Sequence, residues 1–203
     1  MRTGRVSLRT AAVVAAVIAA GATVPLVGLP LAYAALVLRP VDQPAATAPF
    51  ACADIDGGPP INGPTGVSAS IDAVQTGRLP GFERVILHFA GPVPHYAVSR
   101  RQAPVFATQT QTGDADDVRL RGAFGLEITS TWGSSEGFLG DRRAGPIGPT
   151  VVDGRLWDIA DGTSVLGLGL SRPAPFRATT VASPSRLVVD VASGPMSCDT
   201  SAS

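Results

Sequence analysis

The chain has 203 residues, of which 45% are hydrophobic and 16% are charged, and its 16 basic residues, all arginine, balance 16 acidic ones. This net charge of zero, which becomes −3 without the first 34 residues, argues against a nucleic-acid-binding protein that depends on bulk positive charge. The 23 glycines and 18 prolines argue against long helices beyond the N-terminal stretch, where about 170 residues remain to build one domain.

The N-terminus has the pattern of an export signal. Three arginines in the first nine residues precede a charge-free run, residues 10–38, and Ala32-Tyr33-Ala34 offers the small residues that a signal peptidase reads. We therefore expect residues 1–34 to be a cleaved signal peptide, with a retained membrane anchor as the alternative, because about 20 apolar residues span a bilayer. In both cases the rest of the chain is expected outside the cytoplasmic membrane, which only an uncut segment would contact.

A segment rich in Pro, Ala, Gly and Thr follows, and residues 35–66 are predicted to be an extended linker. Cys52 in this segment and Cys198 near the C-terminus are the two cysteines of the chain. An oxidising compartment favours a disulfide between them. We therefore predict a bridge between the linker and a C-terminal tail, residues 193–203.

From residue 67 onwards, short apolar segments of period two alternate with Gly, Pro and Asp, which is typical of an all-β domain. In the segment 82–89, Val85, Leu87 and Phe89 are predicted to face one way and the residues between them the other. The remaining predicted strands cover residues 67–76, 94–100, 122–132, 164–170, 176–181 and 186–191, with a turn at 77–81. Seven strands at this spacing predict an antiparallel β-sandwich over residues 67–192.

Two segments break the alternation. Residues 133–150 hold five glycines, two prolines and the cluster Asp141-Arg142-Arg143, and they are too many for an ordinary hairpin. A functional loop and a merely mobile loop both remain open. A shorter polar turn is predicted at residues 114–117.

Several motifs in the predicted sandwich carry a resemblance to a known family. They are Pro80-Gly81-Phe82-Glu83-Arg84-Val85, Gly91-Pro92-Val93-Pro94, the apolar strand 165–170, Pro175-Phe176-Arg177 and Arg186-Leu187-Val188-Val189-Asp190-Val191. Together they resemble the AMIN-like domain of exported actinobacterial proteins. The resemblance implies a β-sandwich similar to the AMIN domains that accompany N-acetylmuramoyl-L-alanine amidases, a place in the cell envelope, and peptidoglycan as the ligand.

Three of the five charged residues in these motifs are candidates for an ion pair. Arg84, Arg186 and Asp190 lie on predicted strands, where facing residues can form a cross-strand ion pair, and ligand contact is the alternative. His88 and His95 depart from the family's pattern, which has acidic, aliphatic or glycine residues there. No binding residue is therefore carried over from the family.

One short motif suggests an enzyme. Gly133-Ser134-Ser135-Glu136-Gly137 matches the G-x-S-x-G pattern of serine hydrolases, which needs a strand-to-helix turn and a histidine base. Glycines and prolines crowd the turns that follow Ser135, and both histidines lie upstream of it. We therefore predict a non-catalytic protein.

The sequence offers little for a metal ion. His88 and His95 lie seven residues apart without further ligands nearby. The run Asp114-Ala115-Asp116-Asp117 begins like a calcium loop, but the sixth position is Arg119, where glycine is required. We predict neither a metal nor a cofactor.

Glycan binding is the activity that these residues favour most. Ligand sites combine apolar and aromatic surface with a few placed polar groups. The candidate residues are Trp132, Trp157 and Tyr96, with His95 beside the tyrosine, and Arg142 and Arg143 for the carboxylates of stem peptides. The two tryptophans could instead be packing residues. The prediction is a cell-wall glycan-binding module, and an envelope protein bound through a sheet edge or residues 133–150 is the alternative.

Overall fold

The computed structural model describes residues 48–61, 69–109, 115–159 and 162–198, so the predicted signal or anchor segment lies outside the described residues. None of the described residues belongs to a helix that is long and apolar enough to cross a membrane. The described strands are β1 (Ile55–Gly57), β2 (Ala69–Leu79), β3 (Phe82–Ala90), β4 (His95–Arg101), β5 (Val105–Gln109), β6 (Ala115–Arg119), β7 (Phe124–Thr131), β8 (Gly133–Ser134), β9 (Val151–Ile159), β10 (Thr163–Leu170), β11 (Phe176–Ala182) and β12 (Ser185–Ala192).

These strands form two five-stranded sheets and a separate hairpin. Sheet A has the order β11-β12-β3-β2-β8, sheet B has the order β1-β4-β7-β10-β9, and β5 pairs with β6 alone. Neighbouring strands are antiparallel except for the short parallel pair of β2 and β8. The predicted all-β class and antiparallel sandwich are therefore confirmed.

The core lies between the two sheets. Val85, Leu87 and Phe89 on β3 point into it, as their alternation predicts, and Leu126 and Ile128 on β7 enter from the other sheet. Together they belong to one cluster of buried apolar side chains drawn from both sheets. Burying each such side chain stabilises the fold by about 1.5–3 kcal/mol.

Several strand boundaries differ from the prediction. The predicted turn at residues 77–81 shrinks to Pro80 and Gly81, because β2 continues to Leu79 and Gly81 adopts a positive φ of 85° that glycine tolerates. The predicted polar turn at 114–117 is also wrong, since residues 115–117 belong to β6. β9 was not predicted, because Asp153 and Gly154 interrupt its apolar alternation.

Part of the predicted linker is built into the domain. Ala51 and Phe176 exchange two backbone hydrogen bonds of 2.9 Å at the edge of sheet A, and β1 pairs with β4 at the edge of sheet B. Between these contacts Cys52 forms the predicted disulfide with Cys198, which is buried. Residues 48–57, here called the N-terminal strap, therefore contact the edges of both sheets.

Residues 133–150 are attached to the sandwich at several points. Phe138 and Ala144 join the core. The Leu156 amide donates to the Arg142 carbonyl, and the Ala144 amide donates to a carbonyl of β9, at 2.7 and 3.0 Å. The segment therefore covers the outer edge of sheet B, a role that neither sequence interpretation included, while Leu139 stays fully exposed at its tip.

The motif Pro80–Val85 contains two buried charges. Glu83 is fully buried and accepts hydrogen bonds from the amides of Thr150 and Val151, at 3.0 and 2.6 Å, which ties β3 to the start of β9 in the other sheet. Arg84 donates to Asp190 across the β3–β12 pair at 2.6 and 3.0 Å. The predicted cross-strand ion pair is therefore confirmed for these two residues.

Arg186, the third candidate for the cross-strand ion pair, has a different neighbour. Arg186 lies opposite His88 on the strand pair, and its Nε is buried without a hydrogen-bond partner among the described residues. Arg177 on β11 joins Asp190 instead, at 2.9 Å, and its guanidinium stacks on the ring of Phe50 in the N-terminal strap. The ion pair is thus a three-residue cluster covered by the strap.

Candidate functional site

A groove of about 470 Å³ lies between the β5–β6 hairpin and the outer face of sheet B. Its volume is within the range of about 300–1,000 Å³ that is common for ligand pockets. The residues that line it are Arg101, Val105, Ala107, Asp117, Glu127, Thr129, Ile159 and Val165.

Strand alternation brings the floor of the groove together. Because Leu126 and Ile128 enter the core, Glu127 and Thr129, which alternate with them, lie on the outer face of sheet B. Thr129 stands opposite Val165 on β10 in the strand register. The floor is therefore polar along β7 and apolar along β10.

The hairpin supplies the wall. Phe106 and Val118 pack against sheet B, and Val105, Ala107 and Asp117, which alternate with them, are the hairpin residues that line the groove. The ring of Phe106 packs on Trp157 with centroids 5.7 Å apart. The hairpin is thus anchored to sheet B beside the groove.

Two glycines make room for this anchor. A Cβ at Gly167 would come within 2.7 Å of the Trp157 ring and 3.0 Å of Phe106, and one at Gly125 would lie 3.0 Å from Phe106. Side chains at these positions would therefore push the hairpin off the sheet. Glycine on the outer face of β7 and β10 is what allows Phe106 to sit against the backbone.

The charges in the groove are unevenly distributed. Arg101 donates through Nε and Nη2 to the two carboxylate oxygens of Glu127, at 3.1 and 2.8 Å. The hydrogen bond to Glu127 raises the pKa of Arg101, so this guanidinium stays charged. Asp117 adds a second carboxylate from the hairpin. With all three groups ionised, the lining carries one net negative charge.

Two of the predicted aromatic ligand residues are packing residues. Tyr96 belongs to the core between the sheets, and burial raises the pKa of its hydroxyl. Trp157 is 8% exposed beneath the hairpin, and its Nε1 has no hydrogen-bond partner among the described residues. Neither ring lines the groove, although Trp157 pairs in register with Val165, which does.

Trp132 is the exposed aromatic residue of the predicted set. It follows β7 directly, is 44% exposed, and lies beside Gly162 just before β10. Its φ of 64° places a bulky residue in the left-handed region, which is unfavourable for such side chains. The end of the strand that carries Glu127 and Thr129 therefore presents an open indole ring.

His95 is the first residue of β4, which pairs with β1. Its Nε2 is 3.4 Å from Asp56 Oδ2, and its Nδ1 is buried without a partner among the described residues. Its cross-strand neighbour on β7 is Thr131. The structure places His95 near the end of the sheet that presents Trp132.

The two predicted arginines lie in residues 133–150 and are not brought to the groove. Arg142 donates to the hydroxyl and carbonyl oxygens of Ser135 at 2.9 and 2.8 Å. The backbone of Arg143 forms an isolated antiparallel β-bridge with Arg155 on β9. Ser135 is fully buried and its hydroxyl donates to Asp158 at 2.7 Å. The serine of the G-x-S-x-G match therefore takes part in a network that holds this segment against β9.

The carboxylate at the centre of this network sets an expected pH dependence. Partial burial alone would raise the pKa of Asp158, but hydrogen bonds from Ser164 and Ser135, together with the Arg142 guanidinium, hold it below its usual value. A carboxyl group with a lowered folded-state pKa contributes stability above its unfolded pKa of about 3.9, and the contribution disappears as the pH falls through the folded value.

We expect Asp158→Asn to lower the free energy of unfolding by about 1–2 kcal/mol at neutral pH, because the carboxylate accepts several hydrogen bonds but is partly exposed. Urea unfolding of this variant and the wild type is the measurement. The gap between them should narrow as the pH falls below about 4. A gap that stays constant with pH would contradict the assignment.

Within the part of the chain that the structure describes, no group of three or more His, Cys, Asp or Glu side chains is placed to hold a metal ion. The histidine at 88 instead contacts Gln75, at 3.2 Å from its Nε2. Burial lowers the pKa of His88, and the positive charge of Arg186 lowers it further. The His88 side chain is therefore uncharged at neutral pH, and it pairs with Gln75 on the surface of sheet A.

None of the eight lining residues was predicted as a site residue. The reason is that the β5–β6 hairpin was not predicted, although the short apolar run Val105-Phe106-Ala107 and the apolar Val118 carried a signal for it. Its seating on sheet B depends on contacts between distant parts of the chain, and no local pattern encodes those contacts.

Comparison with known proteins identifies one family. The family model described as AMIN-like domain matches residues 69–193. The match includes both sides of the groove, the Pro80–Val85 motif and the ion pair of Arg84 with Asp190. A search of curated proteins finds no significant match.

Proposed function

Because the chain belongs to the AMIN-like domain family, we propose that it is an exported, non-catalytic, cell-wall-associated protein that binds peptidoglycan or another wall glycan. The observation that carries the proposal is the groove beside the β5–β6 hairpin. The disulfide between Cys52 and Cys198 supports a location outside the cytoplasmic membrane, because such bridges persist in oxidising compartments.

The lining of the groove suits a glycan that carries short peptides. Val105, Ala107, Ile159 and Val165 offer apolar surface for the CH faces of sugar rings and for aliphatic side chains. The carboxylates and the threonine on the floor can accept hydrogen bonds from hydroxyl and amide groups. A mostly apolar site with few polar groups is the general form of ligand pockets.

Trp132 extends this surface beyond the groove. Its exposed ring follows the strand that provides Glu127 and Thr129, and aromatic rings with one open face are suitable platforms for a ligand. The strained backbone at this residue supports a functional reason for its exposure, because strain of this kind clusters at ligand sites.

The test is co-sedimentation of the protein with purified peptidoglycan sacculi. Ala107 is exposed on the wall of the groove, so Ala107→Trp should fill the space without disturbing the core. We expect saturable retention of the wild type and at least about tenfold weaker binding of the variant. The control is Ala90→Trp, which places the same ring on an exposed position of β3. Equal retention of all three proteins would contradict the groove as the site.

A second candidate function has one specific observation in its favour. Leu139, in residues 133–150, is completely exposed on a segment that is otherwise held against β9, and this is the observation that favours contact with another envelope protein. Leu139→Ser should leave the retention on sacculi unchanged under the glycan proposal. If the wild type is not retained on sacculi, and cross-linking to an envelope protein in cells is lost in Leu139→Ser, the second candidate is favoured.

A further inference from the structure

We infer that the groove selects a cell-wall peptide whose side chain ends in a primary ammonium group on an aliphatic stem. The inference rests on the proposed function and specifies which part of the wall enters the groove. It follows from the sign and arrangement of the charges on the two sides of the groove, together with the apolar residues between them.

The groove offers two carboxylates to a ligand and holds its cation internally. Glu127 on β7 and Asp117 on β6 are both lining residues of the groove. Arg101 directs both Nε and Nη2 at Glu127, so its bidentate edge is already occupied. The remaining lining residues, from β5, β7, β9 and β10, are uncharged, so the lining itself carries one net negative charge, which favours a positive ligand.

The carboxylates retain capacity to accept hydrogen bonds. An ionised carboxylate has about four lone-pair sites, and the bidentate contact with Arg101 uses two of those on Glu127. Asp117 is exposed and none of the described residues donates a hydrogen bond to its side chain. An ammonium group, which has three donors and no acceptor, can therefore bind between the two acids.

The apolar lining fits the stem of such a side chain. Val105 and Ala107 on the wall and Ile159 and Val165 beneath them form a surface on which methylene groups can pack. Long amine side chains bury their aliphatic stem against apolar surface while the charged head reaches polar groups. A ligand carboxylate would instead meet two like charges and one guanidinium that is already paired.

The charge sign also separates this site from the one expected from sequence. Arg142 and Arg143 were predicted to bind the carboxylates of stem peptides, but Arg142 donates to Ser135 and neither residue lines the groove. The groove therefore binds the amine of the stem peptide and not its carboxylates.

The experiment compares native sacculi with sacculi whose free amines have been acetylated by a water-soluble acetyl ester. Acetylation removes the positive charge and keeps the glycan intact, so retention of the wild type should fall by about tenfold. Equal retention on both materials would overturn the inference and leave the proposed function standing. Absence of retention on native sacculi would overturn both.

A variant of the protein, combined with the acetylated sacculi, tests whether Asp117 and the amine interact with each other. Asp117→Asn keeps the shape of an exposed side chain and removes one carboxylate, so we expect about tenfold weaker retention on native sacculi. On acetylated sacculi the variant should bind as the wild type does, because both changes remove the same interaction. The matched control is Glu136→Gln, an exposed acid outside the groove. A loss that is equal for both variants, or that adds to the effect of acetylation, would overturn the inference.

Discussion

Replacing Asp190 with alanine is expected to lower the free energy of unfolding by about 3–5 kcal/mol, because it breaks a buried ion pair and leaves a guanidinium without a counter-charge. Asp190 is fully buried and accepts hydrogen bonds from Arg84, which is also buried, at 2.6 and 3.0 Å. Arg177 contacts the same carboxylate at 2.9 Å. The substitution would therefore leave two arginines beside each other beneath the N-terminal strap.

Urea unfolding at neutral pH measures this effect, and the chain offers a matched control. Arg121 and Asp153 form an ion pair at 3.5 Å in which the arginine is largely exposed. Exposed pairs contribute about 0.2–1 kcal/mol, so Arg121→Met should change the stability far less than Asp190→Ala. A similar small loss for both variants would show that the buried cluster does not stabilise the fold as described.

Removing the disulfide has the second large expected effect. Cys52 and Cys198 are separated by 146 residues in the sequence, and the chain-entropy model gives about 5 kcal/mol for a loop of that length, within a usual range of about 2–5 kcal/mol. Loss of the bridge would also release the N-terminal strap, which carries Phe50 onto the arginine cluster and pairs with both sheets.

The double variant Cys52→Ser, Cys198→Ser should therefore be less stable than the oxidised wild type by about 2–5 kcal/mol in urea unfolding. The wild type measured in reducing buffer serves as the control, because it should unfold at the same urea concentration as the variant. If the oxidised wild type and the double variant unfold together, the strap is not held by the bridge.

Period-two alternation made the sandwich and its core accessible from the sequence. Val85, Leu87 and Phe89 were assigned to one face, and the register of β3 with β12 then makes Arg84 and Asp190 neighbours. The first conclusion depends on local spacing alone, which a sequence encodes most directly. The second depends on two strands whose paired residues lie 106 positions apart in the chain, and the structure supplies that pairing.

The role of the aromatic residues could not be predicted in the same way. Alternation tells which face of a strand a residue occupies, but it does not tell that both faces of sheet B are covered. Tyr96 faces the other sheet, whereas Trp157 is covered by Phe106 from a hairpin that lies far away in sequence. Rings that looked available for a sugar are therefore buried, and only Trp132 remains open.

The groove could not be predicted from sequence patterns for a related reason. Its two sides come from β5–β6 and from β7, β9 and β10, and they meet because Phe106 seats against Gly125 and Gly167. Glycine at positions 125 and 167 allows this close approach, but no pattern in the sequence identifies Phe106 as the side chain that approaches. The linker prediction failed in part for a similar reason, since β1 forms only through pairing with β4.

The most direct test of the groove as the cell-wall site is an NMR titration of the ¹⁵N-labelled protein with soluble peptidoglycan fragments released by a muramidase. If the fragments bind in the groove, we expect the largest amide shift changes on its lining residues in β5, β7 and β10. We expect these shift changes to be absent in Ala107→Trp. Shift changes confined to the tip around Leu139, or no changes at saturating fragment, would contradict binding in the groove.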